Sequence, residues 1–327
     1  MTSHENVLEE AKRRVCGGEA VVLGTIVEIA GSSSHPLGSR MAVFPDGSFL
    51  GSVSGGCVEE DVACRAEEVR EDGRPRILEY HQVQDPVFEV GLNCDGSILV
   101  LLEPATEPLV DSLRRTKPGV MITRVKGVPP GLQGEPVAVE RELLPDGGIP
   151  TAIRMESRRM GDEVILTEPL GLRNKLLIFG AGDIAAVLAA FAARVGFDVT
   201  VSDPRSNLAD PARHPDANRV VAAWPREILA EVGVDETSYI VSLNHEPHFE
   251  DALFAALMEH RPPAYIGAIG KPQRQLEREA RQEESGFDLS RLPRVHTPIG
   301  LPIGGKSPEE IAVSILAELI AVRNGRE

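Results

Sequence analysis

The sequence predicts an α/β protein in two parts: a Rossmann-like, doubly wound parallel sheet at the C-terminal end, preceded by a mixed α+β domain. Three observations carry this. From Lys175 onward, short apolar, β-branched runs alternate regularly with helix-forming stretches, the pattern of a parallel sheet with crossover helices. The first run leads into Leu177-Ile-Phe-Gly180-Ala181-Gly182-Asp183-Ile184-Ala185, which fits G-x-G-x-x-G/A between a strand and a helix. Asp203 closes the next strand about twenty residues later, where such folds carry a ribose-binding acid. The length, 327 residues, suits two domains of about 150 residues each. The turn-rich stretch Gly171 to Asn174 sets the boundary, giving domains at 1–172 and 173–327.

Taken in order, Glu5 to Val15 forms a helix that Gly17-Gly18 stops. Ala20 to Ile29 is a strand, and Gly31-Ser-Ser-Ser-His-Pro is a polar loop. Leu37 to Val43 begins another strand, and Pro45-Asp46-Gly47 turns it back into Phe49-Leu50. Gly51-Ser-Val-Ser-Gly-Gly-Cys57-Val-Glu-Glu-Asp61 is a tight glycine turn into a helix starting at Cys57. Arg76 to His81 and Ser97 to Leu102 are strands, and Glu103 to Lys117 reads as a loose, proline-bearing connection. Val120 to Val125, Leu144-Pro-Asp-Gly147 and Glu163 to Pro169 then echo earlier segments weakly, as the same domain completing its sheet. Beyond the boundary, strands fall near Lys175–Phe179, Val199–Ser202, Arg219–Ala222, Tyr239–Leu243, Ala264–Ile269 and Arg294–His296. The last helix, Pro308 to Val322, starts on a Ser307/Glu310 capping box with Pro308 at its first position.

Composition narrows the function. A formal charge of −16 opposes binding to nucleic acid and to anionic membranes, both of which demand a basic face. No stretch approaches eighteen apolar residues, and the N-terminus lacks a signal peptide's basic and apolar regions. Cys16, Cys57, Cys64 and Cys94 are too few and scattered for a disulfide framework. The expectation is a cytoplasmic protein with reduced thiols.

The most chemically pointed stretch is the glycine turn. Gly55 and Gly56 permit positive φ and leave N–H groups uncovered, and the following helix adds partial positive charge, so the spot suits an anion. It equally suits a thiolate at Cys57. The plainer reading makes Cys57 a small residue at a packed turn. In the second domain, Gly180 and Gly182 form the dinucleotide-type turn. Asp183, however, stands in the first helical turn, where its carboxylate could satisfy the free amides and would repel pyrophosphate. His245 (with His248 three residues on) and Lys271 lie on loops at the carboxyl edge of the sheet, where ligands of such folds bind. The His pair, beside Glu246 and Glu250, could hold a metal or move protons, but with no third ligand by spacing loop polarity is the better reading for His248. For Lys271 an ordinary solvated basic loop is an equal reading. Gly300-Leu-Pro-Ile-Gly-Gly305-Lys306-Ser307 matches G-x-x-x-x-G-K-[ST], but Glu309 and Glu310 crowd the phosphate position and no later strand supplies a magnesium-binding Asp.

Together these motifs resemble the xanthine dehydrogenase accessory protein family (XdhC/CoxI family). The resemblance rests on Gly38-Ser-Arg-Met with Phe44-Pro-Asp-Gly, on Gly51-Ser-Val-Ser-Gly-Gly-Cys57-Val-Glu, and on Gly91-Leu-Asn-Cys94 before Gly96. It continues through Ile178-Phe-Gly-Ala-Gly, Ala264-Tyr-Ile-Gly-Ala, and His296-Thr-Pro-Ile-Gly-Leu with Pro308-Glu-Glu-Ile-Ala. It implies a chaperone without turnover of its own. Such a protein binds the molybdenum cofactor (molybdopterin), supports its sulfuration by a cysteine desulfurase, and delivers it to a molybdenum hydroxylase of the xanthine or carbon monoxide dehydrogenase type. On that reading Ser54, Gly55, Gly56, Cys57 and Cys94 bind the cofactor, with Cys57 and Cys94 the candidate molybdenum contacts. Gly180, Gly182, Asp183, Asp203, His245 and Lys271 complete the binding set in the Rossmann-like domain. NAD(P) is not expected to bind, and a homodimer is left open. The competing reading is an NAD(P)-dependent oxidoreductase with Asp203 on the ribose and Cys57 or His245 moving protons.

Overall fold

The computed structural model describes residues 3–82, 91–92, 95–129, 131, 133–145, 155–171, 173–244, 246–270, 273, 276–277, 280–281 and 292–326. The chain divides into two compact units, Met1–Leu172 and Arg173–Glu327. Among the described residues no helix is long and apolar enough to cross a membrane.

The first unit opens with α1 (Ser3–Cys16). Strands β1 (Val22–Gly31), β2 (Arg40–Val43) and β3 (Phe49–Gly51) follow, then α2 (Glu59–Asp72), β4 (Arg76–Tyr80), β5 (Gly96–Pro104) and α3 (Glu107–Leu113). The unit continues with β6 (Gly119–Lys126), β7 (Gln133–Pro136), β8 (Ala138–Pro145), β9 (Glu156–Met160) and β10 (Glu163–Leu170). These strands make two antiparallel sheets, ordered β3-β2-β1-β5-β4-β7 and β8-β6-β10-β9. One face of the larger sheet packs Val22, Ile26 and Val100 against Val62, Ala66 and Val69 of α2. On its other face, Ile77, Leu99 and Leu101 meet Val125, Val164 and Leu166 of the smaller sheet. Leu23 and Ala42 cover α1 and α3 through Val7, Leu8 and Leu109. Strands buried on both faces read as continuous apolar runs, and Ser97 to Leu102 shows that pattern.

Two expectations change here. The segment 119–170 does not complete the first sheet. Only β7 joins it, beside β4, and β6, β8, β9 and β10 form a sheet of their own. The alternating burial of β10 marks it as covered on one face only. The supposed loose connection contains α3, with the Leu109 amide donating to Thr106 Oγ1 at 3.4 Å. Pro108 sits in its first turn, where a missing N–H costs nothing.

The second unit is a doubly wound Rossmann sheet. Its strands β11 (Lys175–Phe179), β12 (Asp198–Ser202), β13 (Arg219–Val221), β14 (Ser238–Ser242), β15 (Tyr265–Ala268) and β16 (Val295–His296) are parallel, in the order β13-β12-β11-β14-β15-β16. That is the 3-2-1-4-5-6 order, with its switch point between β11 and β14. Helices α4 (Asp183–Arg194) and α7 (Pro308–Arg323) cover one face; α5 (Pro225–Val232) and α6 (Pro247–Leu257) cover the other.

Candidate functional site

The turn between β3 and α2 is built around one carboxylate. Gly51, Gly55 and Gly56 take φ of 88°, 80° and 111°, and the backbone folds back so that its amides converge. They converge on Glu59, which is 4 % exposed. Its Oε1 accepts from Ser52 Oγ at 2.5 Å and from the amides of Val53, Ser54 and Gly55 at 2.9, 2.7 and 3.1 Å. Its Oε2 accepts from Ser54 Oγ at 2.5 Å and from the amides of Gly56 and Val58 at 2.9 and 3.3 Å. Burial raises this carboxyl, but the Ser52 and Ser54 hydroxyls and the Ser54 and Val53 amides outweigh it. Glu59 is held well below the usual carboxylate range.

This revises the sequence expectation in two ways. Helix α2 begins at Glu59, two residues after Cys57, because residues 54–57 form the turn itself. The anion for which the turn is suited is present in the chain itself. A carboxylate in a first helical turn is an ordinary complement to the helix dipole, so nothing in the residue pattern singles out Glu59. Only the backbone path shows that so many donors meet there.

Cys57 stands between the clamped peptides, half-buried, its side chain against the core that packs α2 on the larger sheet. Its amide donates to Ser54 Oγ at 2.9 Å. Gly55 and Gly56 are exposed beside it, and among the described residues, chain neighbours aside, no atom lies within 4 Å of where a Cβ on Gly56 would sit. The polar loop after β1 reaches this turn: Ser34 Oγ donates to the Ser54 carbonyl at 2.6 Å, and a Cβ on Gly55 would lie 3.4 Å from His35 Cε1. Ser34 and His35 are therefore neighbours of the turn that spacing alone did not mark. Cys94 falls outside the described residues. Cys16 and Cys64 are exposed, and the described residues contain no group of three or more His, Cys, Asp or Glu suited to a metal ion.

The second unit holds its own turn at the switch point. Gly180 takes φ 104°, and a Cβ there would press on the Asn244 amide at 3.1 Å, so the first glycine is required for β11 and β14 to run side by side. Gly182 caps α4. With Asp183, Arg205, Asn244 and Glu246 it lines a cleft of about 390 Å³ at the carboxyl edge of the sheet. Asp203 does not face this cleft as a ribose acceptor. It is fully buried, accepting from the Ala181 amide at 3.0 Å and, at 2.8 Å each, from Nε and Nη2 of Arg205. Burial raises its carboxyl, but the Arg205 side chain and the backbone amides of Ala181 and Arg205, the latter at 2.9 Å, outweigh that and lower it. Asp183 does not close the helix amides either. Its side chain is 80 % exposed and pairs with Arg213 at 3.2 Å. His245 and Lys271 lie outside the described residues. At the P-loop look-alike, Glu310 accepts from the Lys306 and Ser307 amides at 2.8 and 3.1 Å, filling the place a phosphate would take.

Likeness to known proteins follows the same two-part division. The model for the XdhC and CoxI family matches residues 16–81, and the model for the XdhC Rossmann domain matches residues 176–319. The chain is 29 % identical to the molybdenum cofactor insertion chaperone PaoD of Escherichia coli K12, over 99 % of this chain and 90 % of that one. It is 28 % identical to a probable xanthine dehydrogenase subunit of Bacillus subtilis 168, over 93 % and 94 % respectively. A crystal structure of a Bacillus halodurans xanthine dehydrogenase matches at a TM-score of 0.73 and 25 % identity, covering 98 % of this chain and 96 % of the other. With one family model on the glycine-turn unit, another on the Rossmann unit and relatives alike over nearly the whole length, the chain belongs to the XdhC and CoxI family.

Proposed function

We propose that this protein is a molybdenum-cofactor-binding accessory protein. It holds the cofactor while a cysteine desulfurase sulfurates it, then delivers it to a molybdenum hydroxylase of the xanthine or carbon monoxide dehydrogenase type. The reading draws on family membership, on relatives named for cofactor insertion and for xanthine dehydrogenase, and on the chemistry of the turn. The observation that carries it is Cys57: a soft sulfur ligand on a tightly hydrogen-bonded turn, with open space at Gly56 among the described residues through which a metal–sulfur centre can approach. The bound cofactor would supply a thiophilic metal; the chain supplies Cys57 as contact to molybdenum or its sulfur. Ser54, Gly55 and Gly56 shape the approach, and Cys94 is the second candidate contact.

In the Rossmann unit the proposed binding set is Gly180, Gly182 and Asp183 around the cleft, together with His245 and Lys271. Asp203 belongs to it indirectly, because its two bonds to Arg205 hold that cation, 49 % exposed, at the cleft wall. An anionic group of the ligand is the partner suited to Arg205. Full engagement of Asp203 argues against NAD(P) as the ligand.

The test is Cys57→Ser, purified from molybdenum-replete cells. Cofactor retention, read by fluorescence of the oxidised pterin, should fall about tenfold or more, a loss of about 1.4 kcal/mol or greater, with circular dichroism unchanged. Retention at the level of the parent protein would reduce Cys57 to a packing residue.

A further inference from the structure

Seven hydrogen bonds from residues 52–58 end on the single carboxylate of Glu59. A capping-box Glu reaches back to one amide; this one gathers five amides and two hydroxyls. Successive amides aimed into one concavity form an anion-binding nest, and the positive φ of Gly55 and Gly56 is what turns these amides inward. A free phosphate reaching the nest would have to displace a carboxylate tethered in place, whose effective concentration is high.

The same bonds fix Cys57. The Gly56 amide before it and the Val58 amide after it both end on Glu59 Oε2. Its own amide is held by Ser54 Oγ, which in turn donates to that oxygen at 2.5 Å. Both peptide units flanking the cysteine are thus tied to one charge.

We propose that Glu59 is a positioning residue for Cys57, and that the glycine turn is an anion site the protein fills with its own carboxylate. A ligand then meets this turn through the Cys57 sulfur, and its phosphate is held elsewhere. The first half stands on geometry alone; the second rests on the cofactor reading above.

The test uses the full-length protein and an internal standard. Cys64 is exposed on α2, the helix that follows the turn, so the iodoacetamide alkylation rate of Cys57 relative to Cys64, read by mass spectrometry, reports the turn and not the general stability. Glu59→Ala should change this ratio several-fold. Formate or acetate, which replaces the missing carboxylate, should return it saturably to the parent value, an effect that a merely structural role would not give. Inorganic phosphate should shift the ratio in Glu59→Ala and leave it unmoved in the parent protein. An unchanged ratio in the variant, failure of rescue, or phosphate protection of the parent Cys57 would each overturn the proposal. Should Glu59→Ala not fold, Glu59→Gln and the parent phosphate arm decide: Gln keeps the volume but offers one acceptor oxygen, so its ratio should also shift. If these arms succeed while Cys57→Ser keeps its cofactor, the positioning role holds and the cofactor reading fails.

Discussion

Asp203 shows how a residue can sit where a motif expects it and yet do different work. Its position after β12 matches a ribose-binding acid, but both oxygens are taken by the Ala181 amide and the Arg205 guanidinium. A ribose hydroxyl would have to break a bidentate charged pair to reach it. Calorimetry with NAD or NADP should therefore give no affinity tighter than about millimolar, near −4 kcal/mol. Low-micromolar binding would favour the oxidoreductase reading. Spacing revealed the type and place of Asp203 and of the glycines, because strand–turn–helix context is local. It could not reveal their partners, because Arg205 and Ala181 reach Asp203 only through the fold. Glu59 was hidden for the same reason: a first-turn carboxylate is ordinary until the path of the preceding turn is known.

Among the elements, the parallel strands of the Rossmann unit were the most legible, since strands buried on both faces need unbroken apolar runs. The antiparallel unit was less so. Its sheet order depends on long-range pairing, so a weak echo over 119–170 said nothing of whether it extends a sheet or makes another. The two sheets are tied by a buried pair: Arg40 of β2 donates to Glu168 of β10 at 2.5 Å, both side chains 6 % exposed. Arg40 Nε has no hydrogen-bond partner among the described residues; Glu168 gives this buried charge its direct ion pair, and Glu103 acts on it through charge alone. Glu168→Ala strands the guanidinium and should cost about 3 kcal/mol. Replacing Arg40 and Glu168 together by Leu should cost much less, since buried pairs are often no better than apolar packing. Urea unfolding followed by circular dichroism checks both, and equal losses in the two variants would remove the pair's standing as a tie.

For the molecule as a whole, acid stability is where these local arrangements add up. Glu59 in the first unit, and Asp203, Asp235 and Glu318 in the second, are all shifted below their ordinary values. For each, burial pushes upward and is outweighed by hydrogen bonds: from Ser52 and Ser54 for Glu59, Arg205 for Asp203, Thr237 and Lys175 for Asp235, His296 and Tyr265 for Glu318. A carboxyl lowered in the folded state binds its proton more readily when unfolded. Its contribution is complete above the unfolded pKa, about 4, and is lost as pH falls through the folded value. The contribution of these four carboxyls should therefore be level from about pH 5 upward and fall steeply below about 4, whereas Glu103, whose carboxyl burial raises, contributes in the opposite sense, its share being lost as pH rises. The protein has one tryptophan, Trp224 in the second unit, whose ring lies 5.6 Å from that of Phe249 in the core beneath α6. Its fluorescence reads unfolding in the unit that contains Asp203. Asp203→Asn lowers stability at every pH by leaving Arg205 without its charge partner, but it also removes one titrating group, so the fall between about pH 4 and 2 should be shallower than in the parent. Urea midpoints recorded by Trp224 fluorescence across that range measure the slope. A variant that is less stable throughout yet equally steep would mean that Asp203 supports the Gly180 turn by shape alone and that its charge contributes nothing to the acid transition.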